Sequence, residues 1–471
     1  MNYETVSDKL REECGVLGIF GRHNNIPLNL YWGLYALQHR GQESAGMALT
    51  DGIDMDVYRG MGLVGEVFRD LPAMPASIGI GHVRYSTTGS SLLCNTQPLM
   101  VRYAGGPISL AHNGNLTNAR DIRDRLEKSG SVFQTSIDSE VIVNLIARSN
   151  CLTVEEKILE AVAQIKGAYC LVVMTRDKLV GVRDPQGFRP LCLGKLDEDW
   201  VIASESCALD TLGALFVRDI EPGEMVVIDK TGVTSRRFAP AATKALCIFE
   251  YIYFARPDSS IDGQSVYAAR LAMGRELARE SRFQADMVIS VPDSGTTAAL
   301  GFSCESGIPY GEGLMKNRYI GRTFIQPEQK NRDMGVRIKL NAITSVVKDK
   351  SLVLVDDSIV RGTTSGKIVR MLKEAGAKAV HMCVSSPPIA YPCYYGIDTS
   401  VRKDLIASAM EVEEIREFIG ADSLHFLSME GLYRSLSSVP YDGMCYACFT
   451  SCYPGETPCE NGEEGEKYVF E

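Results

Sequence analysis

The sequence predicts two domains, a mixed α+β domain followed by an α/β domain with a parallel sheet. At 471 residues the chain is too long for one hydrophobic core, and its 45% hydrophobic content is typical of compact folding. Up to about residue 235, short strand-like runs are punctuated by Gly, Asn and Asp. After residue 247, strand and helix patterns alternate, which indicates a parallel sheet.

The elements follow from the spacing of apolar residues. In the first half, strands are predicted at "SIGIGHVRYST", "ISLAHNGNLTN", "AYCLVVMT", "LVGVRD" and "WVIASES", and helices at "NLYWGLYALQHRGQES" and "IDSEVIVNLIARS". In the second half, predicted helices "VYAARLAMGRELARES", "TTAALGFSCESG" and "TTSGKIVRMLKEAGA" alternate with predicted strands "DMVISVP", "SLVLVDDS" and "AVHMCVSSP". The Gly/Glu-rich tail after Cys459 predicts a frayed end.

Charge and hydropathy exclude several classes of protein. The formal net charge of −10 argues against general binding to nucleic acid or anionic membranes, because phosphate-backbone binders carry basic surfaces. No apolar run approaches the roughly 20 residues that span a bilayer. The polar start "MNYETVSDKLREE" is unlike a secretory signal, so we expect a cytoplasmic protein with neither nucleic-acid nor membrane partners.

Fourteen cysteines in a reducing compartment predict core residues, metal ligands or nucleophiles rather than disulfides. Seven stand singly in apolar or mixed surroundings and are predicted to be small apolar core residues. They are Cys94, Cys151, Cys170, Cys192, Cys207, Cys304 and Cys383.

Cys14, in "ECGVLGIFG", has two interpretations. If residues 1–13 were removed, its α-amino group would be the general base for its own thiol, since the unperturbed pKa of that amine lies near neutrality. With Met1 present, Cys14 has no free amine. The alternative is a buried strand residue, which "CGVLGIFG" suits equally well.

Three further segments carry groups that suit the first interpretation. Arg84 in "GHVRYSTTG" ends a predicted strand and is suited to a two-pronged bond to a carboxylate. "AHNGNL" predicts a turn at Asn113 and Gly114 whose amide and backbone N–H are the donor types of an oxyanion hole. Asp138 in "TSIDSEV" precedes a predicted helix. Taken singly, the Asn-Gly pair reads as a turn and Asp138 as a helix N-cap.

"LVLVDDSIVRGTTS", residues 352–365, is the most specific stretch. A buried strand ends in Asp356 and Asp357, and a loop of Ser, Gly and Thr opens a helix, where backbone N–H groups cradle phosphate. The two acids are placed to engage ribose hydroxyls or Mg²⁺ at the carboxyl end of a parallel strand. The alternative is a pair of helix-capping acids. A generic P-loop is excluded because no Gly-Lys-Ser/Thr follows.

A second strand-loop-helix segment, "VPDSGTTAA" at 291–299, could cradle another phosphate, with Asp293 and Ser294 near the metal. Between the two loops lies a basic segment, which predicts a loop that closes over a polyphosphate; the alternative is a solvated face. Its charged residues are Lys316, Arg318, Arg322, Lys330, Arg332, Arg337 and Lys339, against Glu328 and Asp333.

The C-terminal "MCYACFTSCYP" contains Cys445, Cys448 and Cys452. The spacing alone is compatible with zinc, an iron-sulfur cluster or a redox pair. Since this segment holds a single CxxC, two further metal ligands must come from elsewhere in the chain.

Over essentially its whole length the sequence resembles the amidophosphoribosyltransferase family, in its processed, iron-sulfur type. The resemblance rests on "CGVLGIFG", "LQHRGQESAG", "GHVRYSTTG", "AHNGNLTN", "TSIDSE" and "VLVDDSIVRGTT". It implies a propeptide at 1–13, an N-terminal-nucleophile (Ntn) hydrolase αββα sandwich at 14–240 that acts as a glutamine amidotransferase, and a type I phosphoribosyltransferase domain at 241–471 with a cysteine-rich end.

The resemblance also implies roles for single residues. Cys14 would attack the side-chain amide of glutamine, Arg84 and Asp138 would hold its α-carboxylate and α-amino group, and Asn113 with Gly114 would form the oxyanion hole. Residues implied to bind phosphoribosylpyrophosphate (PRPP) are Asp293, Ser294, Gly295, Lys316, Arg332, Asp356, Asp357, Ser358, Arg361, Gly362, Thr363 and Thr364, with Mg²⁺ on Ser294, Asp356 and Asp357. Implied [4Fe-4S] ligands are Cys247, Cys393, Cys445 and Cys448; zinc on the same thiols is the rival, and Cys452 and Cys459 are alternative ligands.

The implied reaction converts glutamine and PRPP to 5-phosphoribosylamine, glutamate and pyrophosphate, the first step of purine synthesis. Ammonia would pass through a channel that the closed basic loop helps to build. A homotetramer and feedback inhibition by purine nucleotides are implied as well. Three rival interpretations are a regulatory PRPP-binding module, an electron-transfer iron-sulfur protein and a different glutamine amidotransferase. The motif at 352–364 argues against the third of these.

Overall fold

The computed structural model describes residues 14–21, 25–85, 90–239, 243–317, 340–399, 401–436 and 441–457. The implied propeptide, the basic segment from Arg318 to Lys339, and Cys459 lie outside these ranges. Within them, each helix is too short to cross a lipid bilayer.

The first half of the described chain holds two antiparallel sheets. Its strands are β1 (Gly15–Phe20), β2 (Ser44–Thr50), β3 (Met55–Met61), β4 (Ile78–Arg84), β5 (Leu99–Tyr103), β6 (Gly106–Leu116), β7 (Gly167–Met174), β8 (Leu179–Arg183), β9 (Cys192–Leu196), β10 (Asp199–Ala203), β11 (Leu215–Asp219), β12 (Glu224–Asp229) and β13 (Gly232–Arg237). Its helices are α1 (Ile26–Ala36), α2 (Val64–Val67), α3 (Ala119–Lys128), α4 (Ser139–Arg148), α5 (Val154–Val162) and α6 (Ser206–Leu212), with a 3₁₀ turn at Leu93–Asn95.

One sheet has the order β11-β9-β10-β1-β4-β2-β3 and the other β13-β12-β8-β7-β6-β5. Their facing sides form one apolar core that includes Val16, Val172 and Ile202. Helices α1 and α6 cover the outer face of the first sheet, and α3, α4 and α5 cover that of the second. The four layers confirm the expected αββα sandwich.

The second half has the following elements. Its strands are β14 (Leu246–Cys247), β15 (Ser260–Ile261), β16 (Gln264–Ser265), β17 (Met287–Ser290), β18 (Leu314–Lys316), β19 (Leu340–Ala342), β20 (Ser351–Asp356), β21 (Ala379–Val384), β22 (Ser423–Phe426) and β23 (Met444–Cys445). Its helices are α7 (Val266–Ser281), α8 (Thr296–Ser306), α9 (Thr344–Val347), α10 (Thr363–Glu374), α11 (Val412–Ile419), α12 (Met429–Ser435) and α13 (Ala447–Thr450), with a π-helical segment at Glu250–Phe254 and 3₁₀ turns at Arg402–Asp404, Ile406–Ser408 and Tyr441–Gly443.

Strands β17-β20-β21-β22 form the predicted parallel sheet. Side chains alternate along β20, because successive residues of a strand face opposite sides. Val353 and Val355 pack with α7 and α8, whereas Leu352 and Leu354 pack with α10 and α11. A sheet covered by helices on both faces is the arrangement expected for a parallel sheet.

Two details of the sequence-based prediction were wrong. The helix predicted to run to Ser44 ends at Ala36 and is followed by a turn at residues 37–40. Beyond this turn Gly41 lies against the β4 backbone, where a Cβ would be 2.5 Å from the Val83 carbonyl carbon. Among the seven solitary cysteines, Cys94 and Cys304 are exposed and Cys151 is intermediate, whereas the other four are buried.

The core between the two sheets should carry much of the stability of the first half. We expect Ile202→Ala to lower the free energy of unfolding by about 2–5 kcal/mol, since Ile202 is fully buried between the sheets and the substitution leaves a cavity. Ile53→Ala, at a position that is 73% exposed, is the matched control and should change it by less than about 0.5 kcal/mol. Urea unfolding followed by tryptophan fluorescence measures both; equal midpoints would contradict the assignment of this core.

Candidate active sites

The first site is a pocket at the start of β1 and the ends of β4 and β6. It has ≈ 240 Å³ of empty space including its open mouth, and its lining residues are Cys14, Arg84, Tyr85, Gln97, His112, Gly114, Ile137 and Asp138. Strand β1 pairs with β4, so that Cys14 and Arg84 come from neighbouring strand ends. Residues far apart in sequence therefore meet at one opening.

The thiol of Cys14 is buried and protonated in this environment. Its Sγ lies 3.4 Å from the backbone oxygen of Tyr85. Burial raises the pKa of Cys14 to about 11, and the backbone hydrogen bond and the charge of Arg84 offset this only in part. Because the thiolate is the nucleophilic form, a base must accept the proton when Cys14 reacts.

Asn113 and Gly114 lie inside β6, not in the turn that the Asn-Gly pair predicted. The ladder with β7 continues through both residues, because Gly114 takes φ +147° and approaches Ala168 so closely that a Cβ would lie 2.1 Å from its carbonyl oxygen. Within the described residues, the buried Nδ2 of Asn113 has no hydrogen-bond partner. An unused buried donor beside the pocket is suited to a ligand oxygen.

Asp138 directly precedes α4, as predicted, but its side chain does not cap that helix. One carboxylate oxygen instead accepts a hydrogen bond of 3.0 Å from the backbone N–H of Leu116, and the other lies 3.7 Å from Nδ1 of His112. Burial alone would raise the pKa of Asp138, but His112 and Leu116 outweigh it and hold the pKa below its ordinary value. The pocket thus contains both a fixed anion, Asp138, and the cation of Arg84.

The second site lies at the carboxyl ends of β17 and β20. Asp356 ends β20, and Asp356 and Asp357 are 2% and 1% exposed. The backbone N–H of Asp357 donates to Oδ1 of Asp356 at 3.0 Å, and Ser358 donates its hydroxyl to Asp357 at 2.7 Å. Gly362, with φ +76°, precedes α10, so Thr363 and Thr364 form its first turn.

The two predicted phosphate loops are neighbours. Asp293 and Ser294 follow β17, and a Cβ on Gly295 would lie 2.4 Å from the Val355 carbonyl oxygen at the end of β20. Nζ of Lys316 lies 2.5 Å from a carboxylate oxygen of Asp293. Among the predicted ligand residues of this site, Arg361 pairs with Asp404 at 3.0 Å, and Arg332 is outside the described ranges.

Four cysteines line a third pocket, of ≈ 310 Å³ including its mouth. Its lining residues are Cys247, Cys393, Cys445 and Cys448 with Phe188, Tyr395, Ile397, Ala447 and Tyr453. The parallel pairing of β14 with β23 sets Cys247 opposite Cys445. The backbone N–H of Tyr395 donates to Sγ of Cys393 at 3.4 Å, and Cys452 is exposed.

In the described parts of the chain, no three His, Cys, Asp or Glu side chains come close enough to hold one metal ion between them. Four thiols around an apolar pocket nevertheless fit a cluster, since each thiolate would bind a different iron atom of a [4Fe-4S] group. The carboxylates of Asp356 and Asp357 fit Mg²⁺, which usually keeps several waters and takes further oxygens from a bound phosphate.

Sequence reasoning missed a buried charge cluster directly behind Cys14. It comprises Arg40, Arg189, Glu205 and Glu250, each at most 1% exposed. The signal in the sequence was weak. In "LQHRGQES" an arginine follows a run of apolar residues, and in "CIFEYIYF" a glutamate lies inside an apolar run. His112, which lies 3.0 Å from Ser139 Oγ, was also missed.

Comparison with known proteins places these sites in a family. Residues 82–211 match the family model described as a glutamine amidotransferase domain. The chain is 51% identical to the amidophosphoribosyltransferase of Bacillus subtilis, covering 95% of each chain, and 50% identical to that of Archaeoglobus fulgidus, covering 96% of this chain and 100% of the relative.

Two solved structures are also similar. One is glutamine phosphoribosylpyrophosphate amidotransferase from B. subtilis complexed with ADP and GMP (TM-score 0.90, 50% identity, 94% of this chain and 98% of that one). The other, described as the allosteric regulatory enzyme of purine biosynthesis, has the same TM-score and identity over 94% and 96%. The chain belongs to the amidophosphoribosyltransferase family and catalyses the glutamine-dependent amination of PRPP in purine biosynthesis.

Proposed function

We propose that Cys14 is the glutaminase nucleophile and that the pocket around it binds glutamine. The supporting observation is that Cys14, Arg84, Gly114 and Asp138, which are distant in sequence, line one pocket. Arg84 binds the α-carboxylate of glutamine and Asp138 its α-amino group, because the two side chains offer opposite charges to a zwitterion.

The reaction at this site proceeds through a thioester. The Cys14 thiolate attacks the side-chain amide carbon, and the oxyanion is stabilised by Nδ2 of Asn113 and the backbone N–H of Gly114. Collapse of this intermediate breaks the C–N bond and releases ammonia; water then hydrolyses the thioester to glutamate. A base must accept the proton of the Cys14 thiol, and the α-amine exposed by removal of residues 1–13 is that base.

In the second half, the two neighbouring loops bind PRPP. Asp356 and Asp357 engage the ribose hydroxyls, while the loop from Ser358 to Thr364 binds the 5-phosphate at the start of α10. Asp293, Ser294, Gly295, Lys316 and Arg332 bind the pyrophosphate side. Mg²⁺, held through Ser294, Asp356 and Asp357, would stabilise the charge that develops on pyrophosphate.

Ammonia attacks C1 of the ribose while the bond from C1 to the pyrophosphate oxygen breaks. The product is 5-phosphoribosylamine. Ammonia released to water at neutral pH is protonated and not nucleophilic, so a channel between the two pockets is part of this proposal. The basic segment that would close over it lies outside the described residues.

Four further properties belong to this proposal. The domains divide after residue 240. A [4Fe-4S] cluster bound by Cys247, Cys393, Cys445 and Cys448 bridges the domain junction and the C-terminal segment; the shared pocket and the exposed position of Cys452 support this ligand set. Purine nucleotides inhibit the enzyme, as supported by the relative complexed with ADP and GMP. The active form is a cytoplasmic homotetramer, and light scattering with and without nucleotide tests the assembly.

Cys14→Ala should abolish glutamine-dependent formation of phosphoribosylamine but leave the reaction with added ammonia within about twofold of the parent, since the transferase loops are untouched. Cys304→Ala, at an exposed position of α8, is the control and should retain both activities. Edman sequencing of the active parent should start at Cys14. A Cys14→Ala enzyme that still used glutamine at the parental rate would contradict the nucleophile assignment.

Asp357→Asn should lower PRPP amination by about 100-fold or more with either nitrogen source, because a buried carboxylate at the ligand is lost. Asp349→Asn, on the exposed turn before β20, should have no such effect. Pyrophosphate release measures both variants. Equal rates of pyrophosphate release in the two variants would contradict the assignment of Asp357 to the ribose and metal site.

Cys445→Ser should eliminate the brown colour and the bound iron and sulfide of anaerobically purified protein, because an iron would lose its thiolate. Cys452→Ser, four residues beyond Cys448, should keep about four iron and four sulfide per chain. Metal analysis that found one zinc per chain would instead favour the rival metal.

A further inference from the structure

The backbone of Cys14 is held by a buried arginine. Nε of Arg40 donates a hydrogen bond of 3.1 Å to the carbonyl oxygen of Cys14. The aliphatic part of Arg40 also packs at the next residue, where a Cβ on Gly15 would lie 3.5 Å from Arg40 Cδ. The position of the nucleophile therefore depends on where this guanidinium lies.

Carboxylates from both halves of the chain fix that guanidinium. Nη1 of Arg40 donates to Glu205 at 2.6 Å and to Glu250 at 2.9 Å, and Nη2 donates to the other oxygen of Glu250 at 2.8 Å. The bond to Glu250 is bidentate, the geometry that most restricts an arginine. Burial raises the pKa of Glu250, but Arg40 outweighs it, so the pKa lies below its ordinary value and the carboxylate is charged.

Glu250 stands on a well-anchored segment of the second half. It begins the π-helical segment Glu250–Phe254, and π-helical turns are frequent at functional sites. Arg270 of α7 donates to the carbonyl oxygens of Tyr251 and Ala255 at 2.7 and 2.8 Å. Nη1 of Arg189 lies 3.6 Å from Oε1 of Glu250, the oxygen that also accepts from Arg40. The second half thus reaches the nucleophile through a chain of direct contacts.

We propose that Arg40 and Glu250 are positioning residues for Cys14, so that the glutaminase site is complete only when the segment at 250–254 is docked behind it. The inference rests on the proposed role of Cys14 as the nucleophile. Neither side chain lines the glutamine pocket. A displacement of the nucleophile by about 1 Å lowers the rate of the chemical step by about 100-fold, whereas binding of glutamine depends on the other pocket residues.

A second buried ion pair offers a matched control. Arg183 of β8 makes a bidentate pair with Asp262, at 3.0 and 3.1 Å, and so also joins the first half to the second. Among the described interactions, neither Arg183 nor Asp262 contacts Cys14. If Arg40 and Glu250 merely dock the two halves, loss of the Asp262 charge should have the same effect as loss of the Glu250 charge.

The test is steady-state glutaminase kinetics of the processed, full-length enzyme. Glu250→Gln should lower kcat about tenfold or more with KM for glutamine within about twofold, because the charge that fixes Arg40 is lost while the pocket is kept. Asp262→Asn should leave kcat within about twofold. Amination with added ammonia should stay within about twofold in both variants, which shows that the transferase half is folded.

Arg40→Lys keeps a cation between the carboxylates and decides the question if Glu250→Gln is unstable. It should lower kcat without raising KM, since lysine lacks the planar bidentate donor. Three results would overturn the inference. They are a parental kcat in Arg40→Lys or Glu250→Gln, an increase in KM without a change in kcat, and a loss of kcat in Asp262→Asn equal to that in Glu250→Gln. Cys14→Ala separates the two proposals. If the Cys14→Ala enzyme retains glutaminase activity, the nucleophile assignment fails. If the Cys14→Ala enzyme is inactive while the Glu250→Gln enzyme has parental activity, only the positioning role fails.

Discussion

A buried cluster of two arginines and two glutamates is the interaction on which the arrangement of this enzyme depends. Arg40 lies between Glu205 of the first half and Glu250 of the second, and all three side chains are inaccessible to water. Removing one member of such a cluster leaves a charge buried without compensation, at a cost of about 3–5 kcal/mol. The two halves therefore have one strongly preferred relative position. In that position Arg40 also holds the backbone carbonyl of Cys14.

Each of the two active sites contains a glycine that lies against another segment of backbone. Gly114 and Gly295 each approach a carbonyl oxygen so closely that a Cβ would clash, and each stands beside groups that bind substrate in our proposal. Because glycine has no Cβ, the two backbones can approach closely, and this brings hydrogen-bond donors from separate segments into one site. Helix and strand propensities alone do not determine such an approach.

Local sequence patterns predicted the elements well where apolar spacing was regular. Helix α7 has the residues of the predicted "VYAARLAMGRELARES", and β20 (Ser351–Asp356) covers most of the predicted "SLVLVDDS". The prediction failed where tertiary contacts override local preference. Asn113 and Gly114 lie in a strand instead of a turn, and α1 ends before the segment that contains the buried Arg40. The charge cluster was missed because single charged residues in apolar runs do not reveal which distant partner neutralises them.

The pairing of β14 with β23 has a consequence for biosynthesis of the chain. Leu246 lies beside Met444 and Cys247 beside Cys445, so that β14 pairs with a strand that lies far along the chain from it. Most of the second half must be synthesised between these two strands, and contacts so distant along a chain form slowly. The antiparallel strands of the sandwich can pair during translation, whereas the pocket lined by the four cysteines forms only after this late pairing.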